Sequence, residues 1–187
     1  MRIISGYLKG KKIDHSSSKF TRPLKDITKE SIFNILQHSN LINFTFEKSK
    51  VLDLFSGTGS FGIECLSRGA RHVDFIENYK QILPILKKNL SSLKLLSNYT
   101  IIEKDILNNF NFSEIGKKFD IIFLDPPYKE KNIENLLYNI SKYKLLKIKG
   151  IVIIHRHKNQ ENNFSESLKI IDEKKYGISK IIFGKFI

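Results

Sequence analysis

The sequence predicts an α/β fold built on a mostly parallel sheet, and three observations carry that expectation. From residue 50 onward, short runs rich in Ile, Leu, Val and Phe alternate with segments of helical period, the pattern of successive βαβ units with helices on both faces of the sheet. The run Asp120-Ile121-Ile122-Phe123-Leu124 is apolar almost throughout, as befits a strand buried on both faces. A glycine-rich joint, Ser56-Gly57-Thr58-Gly59-Ser60-Phe61-Gly62, follows the first core run where a strand turns into a helix.

Residues 2–20 read as two short strands around Gly6 to Gly10, followed by a Ser16-Ser17-Ser18 loop. Pro23 then precedes a helix whose apolar face is partly defined by Ile27, Ser31, Phe33, Ile35 and Leu36. Strands are expected at 51–55, 72–77, 100–104, 120–124 and 151–155, with helices at about 60–68, 79–95 and 132–143. The last two runs, 168–174 and 178–186, are split by Tyr176-Gly177 and read as an antiparallel pair closing the edge of the sheet. On this reading residues 1–24 are a small basic hairpin appendage and residues 25–187 the main domain. The polar run 158–163 is a surface loop.

With 32 Lys and Arg against 19 Asp and Glu, the chain has a net charge of +13, which favours a polyanionic partner such as nucleic acid. General coding composition is a second source of such a bias, because the chain is also rich in Ile and Asn. Distribution says more than the total. Within residues 1–25, Arg2, Lys9, Lys11, Lys12, Lys19, Arg22 and Lys25 stand against Asp14 alone. Arg2, Lys9, Lys11, Lys12 and Arg22 are the candidate phosphate contacts; the alternative is a solvated, lysine-rich edge. No run approaches the ~20 apolar residues of a membrane span, and Met1-Arg2-Ile3-Ile4-Ser5-Gly6 lacks the apolar region of a signal peptide. A soluble, cytoplasmic, monomeric protein is therefore expected. The single cysteine, Cys65, lies beside Ile63 and Leu66 and reads as a packed core thiol, so no disulfide or cysteine-based metal site is expected.

Asp125-Pro126-Pro127-Tyr128 ends the most apolar run. Prolines cannot donate to a ladder, so the strand stops there with its last carbonyls facing a cavity. Asp125 and the Pro126 carbonyl can each accept an N–H, and Tyr128 can stack on a ring, a combination that suits a planar base bearing an exocyclic amine. A tight turn with Tyr128 packed inside is the structural alternative. Gly57, Gly59 and Gly62 satisfy the dinucleotide fingerprint, and Glu77 lies at the distance of a ribose-binding carboxylate. A nicotinamide or flavin enzyme is thus a live alternative. Against it stands Asp53, four residues before Gly57, because a carboxylate opposes a pyrophosphate. S-adenosylmethionine has no phosphate and carries an ammonium and a sulfonium. Asp105, after the third core run, can accept from its adenine amine.

These residues resemble the class I S-adenosylmethionine-dependent methyltransferases, and specifically the RsmD family, which methylates a guanine N2 in small-subunit ribosomal RNA. The resemblance spans Met1–Gly6, Leu8–Lys12, Arg22-Pro23 with Asp26 and Glu30–Asn34, the Asp53–Gly59 loop, Leu66–Ala70 and Asp125–Tyr128. The glycine loop and the DPPY corner resemble amine-methylating enzymes in general; the N-terminal block points to RsmD. The resemblance implies a seven-stranded Rossmann-like sheet with an antiparallel C-terminal strand and a small N-terminal hairpin for RNA. Asp125, Pro126, Pro127 and Tyr128 are then the catalytic corner. Asp53, Phe55, Ser56, Gly57, Thr58, Gly59, Gly62, Glu77, Asn78, Asp105 and Ile106 are the candidate cofactor set. The partner is ribosomal RNA, either naked or in an assembling small subunit. One departure is that family members often carry an acidic residue after the fifth core strand, where this chain has His155-Arg156-His157. These histidines read as surface residues or as a basic rim facing RNA, with no metal assigned. An adenine-N6 methyltransferase and a non-catalytic RNA-binding module of the same fold are the competing readings, and a protein-glutamine methyltransferase fits the N-terminal block less well.

Overall fold

The computed structural model describes residues 1–15, 24–42, 44–93, 98–130, 133–160, 164 and 168–187. The chain runs α1 (Asp26–His38), β1 (Lys50–Leu54), α2 (Ser60–Ser67), β2 (His72–Ile76), α3 (Leu83–Ser92), β3 (Tyr99–Ile102), a short 3-10 turn (Phe112–Ile115), β4 (Phe119–Leu124), α4 (Ile133–Lys142), β5 (Leu146–His157), β6 (Leu168–Tyr176) and β7 (Ser179–Phe186). The strands form one seven-stranded sheet in the order β3-β2-β1-β4-β5-β7-β6. All neighbours from β3 to β5 pair parallel, and β7 runs antiparallel to both β5 and β6.

Alternation along the strands divides the core. Val51, Val73, Phe75, Ile121, Phe123, Ile151 and Ile153 share one buried cluster with Ile32, Phe33 and Leu36 of α1, Phe61 and Ile63 of α2, and Leu86 and Leu90 of α3. Leu52, Leu54, Ile122, Leu124, Val152 and Ile154 join Ile133, Leu136, Leu137 and Ile140 of α4 in the other. Because successive residues of a strand point to opposite faces, a near-continuous apolar run serves both clusters at once.

Several boundaries differ from expectation for local reasons. The α3 helix starts at Leu83 rather than near residue 79, because Pro84 belongs in a first turn and Tyr79–Ile82 form a separate turn closed by Ile82 N–H on the Tyr79 carbonyl. The β5 strand begins at Leu146, through exposed Ile148 and Lys149, after an irregularity in its pairing with β4; its polar first half hides it from an apolar pattern. In α1 the buried side chains are Thr28, Lys29, Ile32, Phe33 and Leu36, whereas Ile27 is exposed. The expected N-terminal strands are reduced to one antiparallel bridge, Arg2 with Lys12, flanked by Ile3 N–H on the Lys11 carbonyl and Ile13 N–H on the Met1 carbonyl. The Ser16-Ser17-Ser18 loop, Lys19, Arg22 and Pro23 lie outside the described residues.

A buried carboxylate ties this hairpin to α2. Glu64, fully buried, accepts from the backbone N–H of Ile4 at 2.8 Å and Ser5 at 2.9 Å, and from Arg68 Nε at 2.8 Å. Lys29 is also fully buried, with Nζ 3.9 Å from Glu64 and donating to the Arg2 carbonyl at 2.8 Å. Burial lowers the Lys29 pKa, and Glu64 and Asp26 oppose that shift. The Arg68 guanidinium lies 4.4 Å over the Phe33 ring. Charges removed from water need such partners, and stripping one partner from a buried pair costs about 3–5 kcal/mol. Glu64→Gln keeps the shape and removes the countercharge. Urea unfolding of this variant is expected to show a loss of that order, whereas a loss below about 1 kcal/mol, typical of an exposed pair, contradicts the role assigned to Glu64.

Candidate active site

Strand order reverses between β1 and β4, since β2 and β3 follow β1 on one side while β4 and β5 extend the other. Such a reversal opens a crevice at the carboxyl ends of the two central strands, the place where open α/β sheets take ligands. The glycine turn leaves β1 there, and Asp125-Pro126-Pro127-Tyr128 leaves β4 beside it.

The glycine turn is held from below and behind. Asp53 is 1% exposed, and its Oδ2 accepts from the Gly62 N–H at 3.0 Å. Ser56 Oγ donates to the Asp53 carbonyl at 2.6 Å, and the Ser56 N–H bonds the Ile76 carbonyl. Glu77 Oε2 accepts from the Gly57 N–H at 2.7 Å, while its Oε1 accepts from the N–H groups of Asn78 and Tyr79. Phe55 sits at φ +60°, a conformation that costs a side-chain-bearing residue about 1–3 kcal/mol and is often found at functional sites. A Cβ on Gly62 would lie 2.3 Å from Phe75 Cε1, so only glycine lets α2 approach β2 this closely. At Gly57, φ is +54° and a Cβ would meet nothing nearer than the Phe55 carbonyl at 4.0 Å, leaving open space in front of the turn. Thr58 is buried, and its carbonyl accepts from Asn89 Nδ2 at 2.9 Å.

Three carboxylates collect around this turn in a strongly basic chain. Burial pushes the Asp53 carboxyl well above its usual range; the Gly62 N–H opposes this, and the nearby charges of Asp125 and Glu77 add to it. Asp105, after β3, accepts from the Leu107 N–H and from Asn108 Nδ2, both at 2.9 Å. Burial raises its pKa, but hydrogen bonds from Asn108, the Leu107 backbone and Asn78 outweigh that and hold it below the usual range. Ile106 is 5% exposed and belongs to the α4-side core. Cys65 is buried as expected, and burial pushes its thiol well up.

The DPPY corner is framed by the carboxyl end of β5 and the start of β7. Asp125 Oδ1 lies 2.8 Å from His155 Nδ1, and His155 Nε2 lies 3.0 Å from Ser179 Oγ. His155 is 2% exposed, which corrects the expectation of a surface or rim residue: on a parallel neighbour of β4 its side chain turns toward the core, not toward solvent. His157 packs edge-on against the Tyr128 ring, with centroids 5.0 Å apart. Gln160 Nε2 donates to the Tyr128 carbonyl, and Arg156 Nη2 to the Glu130 carbonyl at 2.9 Å. Pro126 is buried and Pro127 exposed. Phe61 of α2 stacks on Phe123 at 4.0 Å, joining the helix after the glycine turn to the strand that carries Asp125.

Sequence reasoning missed His155, Ser179 and Asn89. Asn89 Nδ2 donates to the carbonyls of Asp14 and Thr58, and its Oδ1 accepts from the Asp14 N–H. Arg2, Lys9, Lys11 and Lys12 are all exposed on the hairpin, whereas Arg22 lies outside the described residues. Among the described residues no helix is long and apolar enough to cross a membrane.

Sheet order, glycine turn and DPPY corner together define a class I S-adenosylmethionine-dependent methyltransferase. A family model described as "Conserved hypothetical protein 95" matches residues 1–185, and the chain belongs to this family, the RsmD/YhhF methyltransferases. The Haemophilus influenzae "Ribosomal RNA small subunit methyltransferase D" is 32% identical over 179 residues, covering 95% of this chain and 90% of its own. YlbH of Bacillus subtilis strain 168, described as a candidate rRNA methyltransferase, is 36% identical over 164 residues, covering 86% of this chain and 85% of its own. The solved structure of yhhF from Escherichia coli, 24% identical, superposes with a TM-score of 0.82 over 100% of this chain and 97% of its own, which shows the shared fold.

The raised pKa of Asp53 has a signed consequence for stability. Below the ordinary carboxylate pKa of about 3.9 the side chain is protonated in both folded and unfolded states. Between that value and its raised folded value, the folded state holds a proton that the unfolded state has lost, so stability falls as pH rises. Asp53→Asn keeps an acceptor for Gly62 and cannot ionise. In thermal melts across pH, the variant is expected to gain on the parent protein as pH rises through this window; parallel curves contradict the assignment.

Proposed function

We propose that the protein methylates the exocyclic N2 amine of a guanine in small-subunit ribosomal RNA, with S-adenosylmethionine as donor and an assembling subunit as substrate. The observation that carries the amine-methylation part of this reading is the Asp125-Pro126-Pro127-Tyr128 corner, standing beside the glycine turn at the strand-order reversal; the N-terminal block supports the choice of guanine in ribosomal RNA. The name of the H. influenzae relative supports the ribosomal substrate.

The residues present fit the cofactor. Open space in front of Gly57 and three carboxylates near one another suit a cation-bearing, phosphate-free ligand better than a dinucleotide. Glu77 is the acceptor for ribose hydroxyls and Asp105 for the adenine amine, with Asn78 and Ile106 beside them. Asp53 supports the turn Phe55-Ser56-Gly57-Thr58-Gly59 through Gly62, and a cation bound above the turn favours the ionised form that burial disfavours. When bound, S-adenosylmethionine supplies a methyl group activated on a sulfonium.

The chain's own task is to present a poor nucleophile. A guanine amine is conjugated with its ring, so its lone pair is weakly available. Accepting its two N–H groups at Asp125 and the Pro126 carbonyl favours a pyramidal nitrogen as positive charge develops, which stabilises the transition state more than the ground state. Asp125 then takes the proton that the amine sheds. Tyr128 holds the base by stacking, worth about 1–3 kcal/mol. A base inside a helix cannot reach such a corner, so the target is flipped or single-stranded. Arg2, Lys9, Lys11 and Lys12, joined by Arg22, grip the flanking phosphates.

Labelled methyl transfer to small subunits from cells lacking the enzyme, followed by nucleoside mass spectrometry, is expected to give a single N2-methylguanosine; N6-methyladenosine overturns the choice of base. Asp125→Ala is expected to slow transfer by about 100-fold or more while calorimetry finds cofactor binding retained, and near-normal turnover in this variant contradicts the mechanism. Replacing Lys9, Lys11 and Lys12 with Ala is expected to reduce the slope of log affinity for RNA against log salt by about 2. An unchanged slope places the phosphate contacts elsewhere.

A further inference from the structure

Asp125 does not stand alone at the end of β4. Phe123 of β4 pairs with Ile153 of β5, and both side chains belong to the core cluster shared with α1, α2 and α3. With a strand period of two residues, the next positions on that face are Asp125 and His155. Sheet register alone thus brings an imidazole to the carboxylate. His155 Nδ1 lies 2.8 Å from Asp125 Oδ1. On the far side of the ring, β7 runs antiparallel to β5 and delivers Ser179, 6% exposed, with its Oγ 3.0 Å from Nε2.

This chain of contacts selects one tautomer. A nitrogen facing an ionised carboxylate carries the hydrogen, so Nδ1–H donates to Asp125 Oδ1 and Nε2 accepts the Ser179 hydroxyl hydrogen. The same Nδ1–H···Oδ1 bond persists when Asp125 takes up a proton on its other oxygen. His155 therefore fits both protonation states of Asp125 without moving.

We propose that His155, locked by Ser179, is the positioning residue for Asp125: its bond to Oδ1 fixes the plane in which the carboxyl group meets the substrate amine. The inference rests on the amine-methylation reading of Asp125. It assigns His155 no contact with base or cofactor. Its effect runs through one carboxylate, and so belongs in kcat rather than in binding.

The test is a substitution series read in single-site kinetics. His155→Leu removes the donor and is expected to lower kcat on the order of 10- to 100-fold, the scale of a lost orienting partner, with cofactor affinity and RNA KM unchanged. Asn places an N–H where Nδ1 stood, whereas Gln reaches only toward Nε2. His155→Asn is thus expected to regain most of the loss and His155→Gln to regain little. In an Asp125→Ala background, His155→Leu is expected to add nothing. Wild-type kcat in His155→Leu, or an equal further loss in the Asp125→Ala background, overturns the proposal. Thermal melts and cofactor binding identify any variant that fails to fold, and the milder Ser179→Ala, expected to lose a smaller part of kcat, then carries the test. A second readout needs no substrate and stands apart from the proposed function. Imidazole nitrogen NMR of the parent protein is expected to show His155 protonated at Nδ1 and perturbed by Asp125→Asn, whereas an Nε2–H imidazole overturns the proposal even if methyl transfer proceeds.

Discussion

Much of the helical side of this sheet hangs from the buried carboxylate of Glu64. It receives two backbone N–H groups from the hairpin, the guanidinium of Arg68 and, at longer range, the ammonium of Lys29. Three pieces of chain that are remote in sequence, residues 1–13, α1 and α2, thereby share one anchor. A charge cluster of this kind is poor stabilisation compared with apolar packing, and its value lies in fixing which surfaces meet. The consequence for function is placement: α2 is held against β2 by the close approach at Gly62, the glycine turn is held by α2, and the basic hairpin is held by the same helix, which follows the turn.

The fold was largely legible because its strongest signals are short-range. Apolar runs, the helical period between them and the Tyr176-Gly177 turn each report on a few adjacent residues, and strands β1, β2 and β4 stand within a residue or two of where the pattern put them. Pattern failed where polarity and regular structure part company. Lys147, Lys149 and the exposed Ile148 lie in β5 at the irregularity in its pairing with β4, where the chain stays extended without burying them. Lys29 is the opposite case, a charged residue in the core. A lysine on a helix reads as solvent-facing, and nothing local reveals that Glu64 waits across a helix interface to receive it.

The candidate site divides along the same line. Asp53, the three glycines, Glu77 and Asp125 were visible as residue types at strand ends, where parallel sheets expose their carboxyl edges. What surrounds them was not. His155 and Asn89 are single polar residues whose meaning comes from partners remote in sequence, Asp125 and Ser179 for the one, Asp14 and Thr58 for the other. Reading His155 from its neighbours Arg156 and His157 suggested a charged rim, because adjacency in sequence was taken for adjacency in space. In a strand Arg156 points to the opposite face, whereas His157, two positions on, shares the face of His155 and packs on Tyr128.

The position of β7 bears on how the protein comes to be assembled. It follows β5 and β6 in sequence but lies between them in the sheet, making antiparallel ladders to both. Its ladder to β5 joins residues 22 to 32 positions apart, His157 with Ser179 and Val152 with Gly184, close to the 22 that separate Lys50 from His72 in β1 and β2. The remote pairing is that of the two central strands, Val51 with Ile121, 70 positions apart, and pairings of that reach are slow to form. A folding chain therefore has longest to wait at the centre of its sheet rather than at its edge.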